Sequence, residues 1–384
     1  MNFRPAFNLM LCSLLSIALV STLGLVGCQP SVKKSPSETE NSSSEESTSV
    51  EEDAEEMESA ELSTEEETEA AIQSAIGPIS PRRSPVGMPR RANMTEPELH
   101  AAIKAKNPSY QMDGQFIFDQ GLPSQIALIQ TAVSDLSPLE GLPLVGLDLT
   151  ATNVTDLSPL KGMKLQQLIA RGTRVDNLKP LEGMPLVMLD LLQTRVEDLT
   201  PLKGMPLREL YLDETRIDDI SPLKGMPLNK LYLNSTKVEY LEPLAGCPLI
   251  ELNLYDTKVS DLSPLKGAPL QMLWLNMTPV SDLSPLSQSP LVSLTLHRTP
   301  VSNLEPISRL PLQRLHIGET QVTDLTDLQD LRLTRLIFNP NQIKTGLDVV
   351  RKMGSLQELG IQLEGRMKPA EFWSLYDSGE FGSQ

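Results

Sequence analysis

Chemistry in this chain of 384 residues would need nucleophiles, bases or ligands at spacings a fold can use, and the candidates are few. There are only three histidines and three cysteines. His297 and His316 are placed so that two imidazoles on neighbouring turns could share a metal, but no third ligand stands at a matching spacing. No glycine-rich phosphate loop, paired cysteine ligands or nucleophile elbow occurs. The expectation is therefore no cofactor, no metal and no catalytic residue. With Cys28 expected to be covalently modified and the segment before it removed, Cys247 stands alone, so no disulfide framework is expected within the mature chain. What remains is recognition. Aromatic residues make up only 4% of the chain, yet Tyr211, Tyr232, Tyr255 and Trp274 fall close together, interleaved with Asp213, Asn234, Asn276, His297 and His316. Grouped aromatics among polar residues are a common composition for binding hot spots.

The elements that position these residues follow from a repeat. Val133, Val154, Val175, Val196, Ile217, Val238, Val259, Val280, Val301, Val322 and Ile343 are each 21 residues apart, without insertion or deletion. The first block reads Val133-Ser-Asp-Leu-Ser-Pro-Leu-Glu-Gly-Leu-Pro-Leu-Val-Gly-Leu-Asp-Leu-Thr-Ala-Thr-Asn153. A fixed period of this size around Leu-x-Leu is the mark of a leucine-rich solenoid. The Leu-x-Leu pair predicts a short strand with its leucines inward, and stacking sets the strands roughly 4.8 Å apart in a parallel sheet. Ten blocks predict a sheet on the order of 50 Å long.

On the opposite side, Asp135-Leu-Ser-Pro-Leu-Glu-Gly141 predicts one helical turn of 3₁₀ type. Ser137 suits the N-cap, Pro138 the first helical position and Gly141 a left-handed exit. A second proline, at Pro143, Pro185, Pro206 and equivalents, holds the return segment extended. Thr152 recurs at Thr131, Thr173, Thr194 and onward to Thr320. Its hydroxyl is expected to bond backbone of the neighbouring coil, since buried backbone groups must be satisfied.

This block resembles the leucine-rich repeats of bacterial internalin-like proteins, which also carry an Asp-[Leu/Ile]-Ser-Pro-Leu run after the strand. Here the repeat is one residue shorter, and Thr stands where that family has Asn. The resemblance covers about residues 124–362. It implies an α/β solenoid, a horseshoe or arc with the parallel sheet on its concave face and short 3₁₀ turns on its convex face. Similar repeats are found in secreted bacterial proteins and beside protein kinases, but no kinase signature occurs in this chain.

The strand positions that alternate with the leucines vary freely. One column runs Asp148, Ile169, Asp190, Tyr211, Tyr232, Asn253, Trp274, Thr295, His316, Ile337. The next runs Thr150, Arg171, Leu192, Asp213, Asn234, Tyr255, Asn276, His297, Gly318, Asn339. Two readings stand: a binding face for a protein or glycan, or cross-strand neighbours that only stabilise the sheet. A further ladder, Arg174, Arg195, Arg216, Lys237 and Lys258, reads as a solvated rim balanced by Asp213, Glu214, Asp218, Asp219 and Asp256, or as a site for an acidic polymer.

Taken in order, residues 1–27 read as an export signal, with Arg4 ahead of an apolar stretch. Leu25-Val26-Gly27-Cys28 resembles the bacterial lipobox, which implies acylation of Cys28 and anchorage in a bacterial envelope membrane, with Gln29 favouring the outer membrane or cell surface. The alternative is an uncleaved membrane anchor. Residues 28–94 are low in complexity. Between Glu38 and Glu69 stand fifteen acidic residues and no Lys or Arg, so this stretch reads as a disordered tether, either a spacer or a tolerated filler. It carries most of the net charge of −17, leaving the remainder near neutral and no basic field for nucleic acid.

Residues 95–132 read as an N-terminal cap, a helix opened by the capping box Thr95-Glu-Pro-Glu98 and then a strand pair. The solenoid spans 133–362, ending on an amphipathic helix at Gly346–Met353 and a Leu359-Gly-Ile361 pair two residues late. Residues 363–384 form a C-terminal cap, with Phe372 and Trp373 as lid residues. Cys247 fills a buried position held elsewhere by Met226 or Leu142. The function expected is a lipid-anchored envelope protein that binds a partner on its concave face. The alternative is a tethered scaffold without a specific ligand. Replacing Cys28 by Ser should leave an unacylated precursor, detected as an intact mass lacking any acyl chain.

Overall fold

The computed structural model describes residues 94–382, so the expected export segment, Cys28 and the acidic tract lie outside them. Among the described residues no helix is long and apolar enough to cross a membrane.

The chain enters through α1 (Glu96–Lys106). Thr95 offers its N–H and its hydroxyl to Glu98 Oε2, both at 2.8 Å, which satisfies a helix end that would otherwise lack partners. Leu99 and Ile103 lie buried on its inner side. β1 (Gln115–Asp119) and β2 (Leu122–Ala127) form an antiparallel hairpin. Its turn residues Gln120 and Gly121 both have positive φ, at 50° and 78°, as a two-residue hairpin turn requires. Asn107 staples this cap to the first coil. Its Oδ1 accepts from the backbone N–H groups of Ser134 and Asp135 at 2.9 Å, and its Nδ2 donates to the carbonyls of Ile103 and Asp135.

The repeat then takes over. Strands β3 to β12 are three residues each: Gly146–Asp148, Gln167–Ile169, Met188–Asp190, Glu209–Tyr211, Lys230–Tyr232, Glu251–Asn253, Met272–Trp274, Ser293–Thr295, Arg314–His316 and Arg335–Ile337. β2 pairs in parallel with β3, and every later strand pairs with the next. Register is constant, with Leu147 opposite Leu168 and Leu168 opposite Leu189. The period of 21 residues is thus the register of the sheet. β13 (Glu358–Gly360) keeps the pairing although Leu359 lies opposite Leu336, a step of 23. The two extra residues are absorbed by the convex side, where α2 (Leu347–Lys352) replaces the 3₁₀ turn.

Each 3₁₀ convex turn of the repeat is a three-residue segment such as Ser137–Leu139; those from Ser137–Leu139 to Ser263–Leu265 are left through a positive-φ glycine such as Gly141, whereas the last three, followed by Gln288, Arg309 and Asp330, continue in right-handed backbone at the capping residue. The capping group differs from the expectation. Ser137 is the first residue of the turn rather than its cap, and the acceptor is the side chain two residues earlier. Asp135 Oδ1 takes the Ser137 N–H at 2.8 Å, and Asp156, Asn177, Asp198, Asp219, Asp261, Asp282, Asn303 and Asp324 repeat the contact at 2.7–3.0 Å. A carboxylate or amide carbonyl reaches the backbone two residues on, which a serine within the turn cannot do. One coil breaks the column: its residue is Tyr240, which is 65% exposed and leaves the Glu242 N–H without that acceptor.

The threonine ladder also differs. Thr152 Oγ1 donates to Leu149 O, three residues back in its own coil, rather than to the next coil, and the contact repeats from Thr131 to Thr320 at 2.5–2.8 Å. The cause is local. The residue before each threonine has positive φ (Ala151 54°, Gln193 55°, Glu214 53°), so the chain reverses and folds the hydroxyl onto that carbonyl. Non-glycine residues pay strain in this region, and a doubled bond from the threonine N–H and hydroxyl helps hold it. Coil-to-coil links come from the following residue, as when Arg174 N donates to Val154 O.

Inside, the leucine columns are almost wholly inaccessible, and Cys247 lies among them. At the far end α3 (Pro369–Ser378) closes the stack. Phe372 and Trp373 sit 5.6 and 6.4 Å from Phe338, and the Arg351 guanidinium lies 4.5 Å over the Trp373 ring. Restoring the missing turn cap with Tyr240→Asp should raise stability by roughly 0.5–1 kcal/mol, read as a higher urea midpoint. A lower midpoint would contradict the capping role of this column.

Candidate functional site

The concave face is built by strand positions whose side chains alternate with the leucines, so its residues are set by register and not by loops. It carries three columns. Two are those already derived. The third precedes them on each strand: Met188, Glu209, Lys230, Glu251, Met272, Ser293, Arg314 and Arg335. The same alternation, counted one step back from the first leucine, would have placed it on this face.

Tyr211, Asp213, Tyr232, Asn234, Tyr255, Trp274, Asn276, His297 and His316 all belong to the two expected columns, but they are not equally open. Tyr211, Tyr232, Asn234 and His297 are half-buried, whereas Asp213, Tyr255, Trp274, Asn276 and His316 are buried. In-register stacking at about 4.8 Å makes each large side chain cover its neighbour. Two of the buried residues serve the scaffold. Asp213 Oδ1 accepts the Asn234 N–H at 2.9 Å and Asn276 Oδ1 the His297 N–H at 3.0 Å, each bridging one coil to the next.

The centre of the face is an aromatic and acidic cluster. The Tyr211 and Tyr232 rings meet edge-on at 5.1 Å, and Tyr232 meets Trp274 at 5.7 Å across the smaller Asn253. Such tilted contacts align ring edges with ring faces. The column missed above supplies the polar frame. Tyr211 OH donates to Glu209 at 3.2 Å, Tyr232 OH donates to Glu251 at 3.1 Å, and Lys230 Nζ lies 3.1 Å from the other Glu251 oxygen. Burial pushes the Glu251 carboxyl above its usual range even though Lys230 pulls it down. Burial, reinforced by Glu209 and Glu251, pushes the Tyr211 phenol well above its ordinary value.

The two ends of the face differ. Near β3, Asp148 is fully buried, its Oδ1 accepting from Thr150 N and Oγ1 at 2.8 and 2.6 Å, and burial raises its carboxyl above the usual range. Asp190 is held by Arg171 at 2.9 Å. Near β11, His297 and His316 stack with centroids 4.9 Å apart, and His297 Nδ1 lies 3.2 Å from Gly318 O. Burial, with His297 alongside, pulls the His316 imidazole down to about 3, so it is neutral at physiological pH. Ring faces, not lone pairs, confront each other. Among the described residues no group of three His, Cys, Asp or Glu could hold a metal.

The rim ladder of Arg174, Arg195, Arg216, Lys237 and Lys258 is exposed. Among the described residues its ion pair is Arg216 with Glu197 at 2.9 Å rather than with the carboxylates expected above; Asp213 and Asp219 bond backbone N–H groups instead. A depression of about 610 Å³ lies off the concave face, beside α2, where Lys352 and Asp348 pair along its helical wall.

An internalin of Listeria monocytogenes superposes on 68% of this chain and 87% of its own, with a TM-score of 0.59 and 23% identity. The chain is a leucine-rich-repeat protein. A leucine-rich-repeat protein of Leptospira interrogans aligns over 62% of this chain and 72% of its own, at 20% identity and a TM-score of 0.49. A second Listeria monocytogenes internalin, internalin C2, is 32% identical over 52% of this leucine-rich-repeat chain and 92% of its own, with a TM-score of 0.44. No protein-family model matches the chain, and no curated protein does.

The raised carboxyls of Asp148 and Glu251 have a signed consequence. The folded state binds their protons more tightly than the unfolded state, so their favourable contribution is present at low pH and is lost as pH rises through the carboxylate range. In the double variant Asp148→Asn with Glu251→Gln, stability relative to the unsubstituted protein should rise between about pH 4 and about pH 7. Urea titrations at both values test this; a relative fall would show that burial is not the dominant influence.

Proposed function

We propose that this leucine-rich-repeat chain is a non-enzymatic recognition protein of a bacterial cell envelope. It holds a protein partner on its concave face and is tethered to a membrane through acylated Cys28. The observation that carries the reading is the cluster of Tyr211, Tyr232 and Trp274 framed by Glu209, Lys230 and Glu251. The leucines beneath it are required by packing, but packing does not require tyrosine beside tyrosine beside buried glutamate on the outward positions. Half-buried tyrosines with their hydroxyls tied to carboxylates, backed by a buried tryptophan, are the composition expected of an interface centre. The solenoid holds them rigidly, so little side-chain freedom is left to lose on binding. Four elements of this reading rest on sequence alone: the export signal, the lipid, the acidic spacer and the envelope address.

Substituting Trp274 with Ala is a poor test, because truncating a buried tryptophan costs about 3–5 kcal/mol of folding stability. Arginines at half-buried Leu192 and Asn253 block the face without opening a cavity. The Leu192→Arg with Asn253→Arg variant should weaken capture of the partner from envelope extract at least about tenfold, while Lys203→Glu on the convex side should not. A ligandless scaffold predicts nothing enriched by any of the three proteins.

A further inference from the structure

The two edges of the sheet end differently. On β13, Leu359 exchanges both backbone bonds with Met367 on the side away from β12. At the opposite edge β1 bonds, among the described residues, to β2 alone.

The bond pattern fixes which groups of β1 face outward. Ser124 O accepts the Val145 N–H and Leu128 N–H donates to Asp148 O, both at 2.8 Å, so these two residues turn toward β3. Backbone direction alternates along a strand, so Gln125 and Ala127 turn the other way, toward Ile117 and Gln115. Phe116 and Phe118 are left with their N–H and C=O groups directed away from the sheet. An edge of this kind is a template for another strand, and proteins commonly blunt it with lysine, proline or a bulge. β1 carries neither lysine nor proline, and the extra residue in its pairing, Ser124, lies on β2.

The strand Gln115-Phe-Ile-Phe-Asp119 is matched to its own reversal. Antiparallel pairing with Ile117 opposite Ile117 of a second copy sets Phe116 opposite Phe118 twice. The outward groups then exchange four N–H···O=C bonds. Gln115 falls opposite Asp119 of the second copy at both ends, on the same face as Ile117, so amide N–H groups meet a carboxylate. A shift of two residues would set Ile117 against Gln115 or Asp119 and lose this match. In the single chain the three apolar residues are only half-buried. The helix above leaves the approach open. His100, midway along α1, packs on the Phe116 ring at 4.6 Å, and opposite buried Leu99 and Ile103 the helix exposes only small residues, Pro97, Ala101 and Ala105.

We propose that β1 is a self-association edge, on which two copies of this chain join antiparallel about Ile117 into one continuous sheet. The contact is isologous, so it consumes both free edges and stops at two copies. It is independent of what the concave face holds.

The full chain in detergent, followed by sedimentation equilibrium, should be a dimer that dissociates on dilution. Ile117→Lys alone, or Ile117→Glu alone, should weaken the dimer at least about tenfold, because like charges meet on the axis. An equimolar mixture of the two variants should restore it, which a merely unstable fold would not do. Register is read by cysteine pairing under a mild oxidant, with the unsubstituted chain as background. Ile117→Cys should link to its own copy, since Cα atoms paired there lie about 4.5 Å apart. Gln115→Cys and Asp119→Cys should link when mixed but not separately, each lying about 14 Å from its own equivalent. A chain that stays single at every concentration, as when its own residues ahead of Met94 cover β1, would overturn the proposal. So would a dimer indifferent to both charges, or no link through Ile117→Cys.

Discussion

Everything in this molecule depends on one lateral ladder. A coil of this repeat is too short to enclose its own leucines, so it is stable only when its backbone bonds to the coils on either side. Three residues per coil do that as a strand, and the flanking backbone continues the pattern, as when Leu149 N donates to Ile169 O and Val187 N to Gln166 O. The ladder demands constant register, constant register demands constant length, and constant length explains why ten blocks tolerate no insertion. Variation is left to positions that do not enter the ladder or the core.

That hierarchy explains what could be read in advance. Leucine columns, the 3₁₀ turn, the capping helix at Thr95 and the aromatic lid at Phe372 and Trp373 are local or periodic, and periodicity survives translation into structure. Acceptor identities do not. Both Ser137 and Asp135 are plausible caps by type, and only backbone geometry shows that the aspartate reaches the Ser137 N–H. The turn that folds each threonine hydroxyl back onto its own coil is invisible in sequence, because the left-handed residue before it carries no signature in types as varied as Ala151, Gln193 and Glu214. Alternation marks the outward strand positions, but five of the nine residues expected there, Asp213, Tyr255, Trp274, Asn276 and His316, are buried. Alternation says which way Asp213, Trp274 and Asn276 point; it says nothing about how closely Tyr232 packs on Trp274 or that Asn276 turns back to a backbone N–H.

The crowding gives the face its character. Ionisable groups that would float freely on a flat sheet are here pressed among rings and alkyl chains, so Glu251 and Asp148 hold protons more readily and His316 less readily than they would in water. Lys230 and Arg171 compensate part of that burial, each reaching along the sheet to a carboxylate on the next coil. A surface arranged this way is stiff and mixed in polarity.

The two-residue slip between β12 and β13 has its own consequence. A stack whose last coil matched its first would accept another chain at its open end, and that chain another, in the manner of a growing filament. Here the phase is broken, the final strand edge is partly covered by the antiparallel bridge from Leu359 to Met367, and α3 seals the leucines with rings. The departure from the repeat closes, at this end, the edge on which a further coil would otherwise pair.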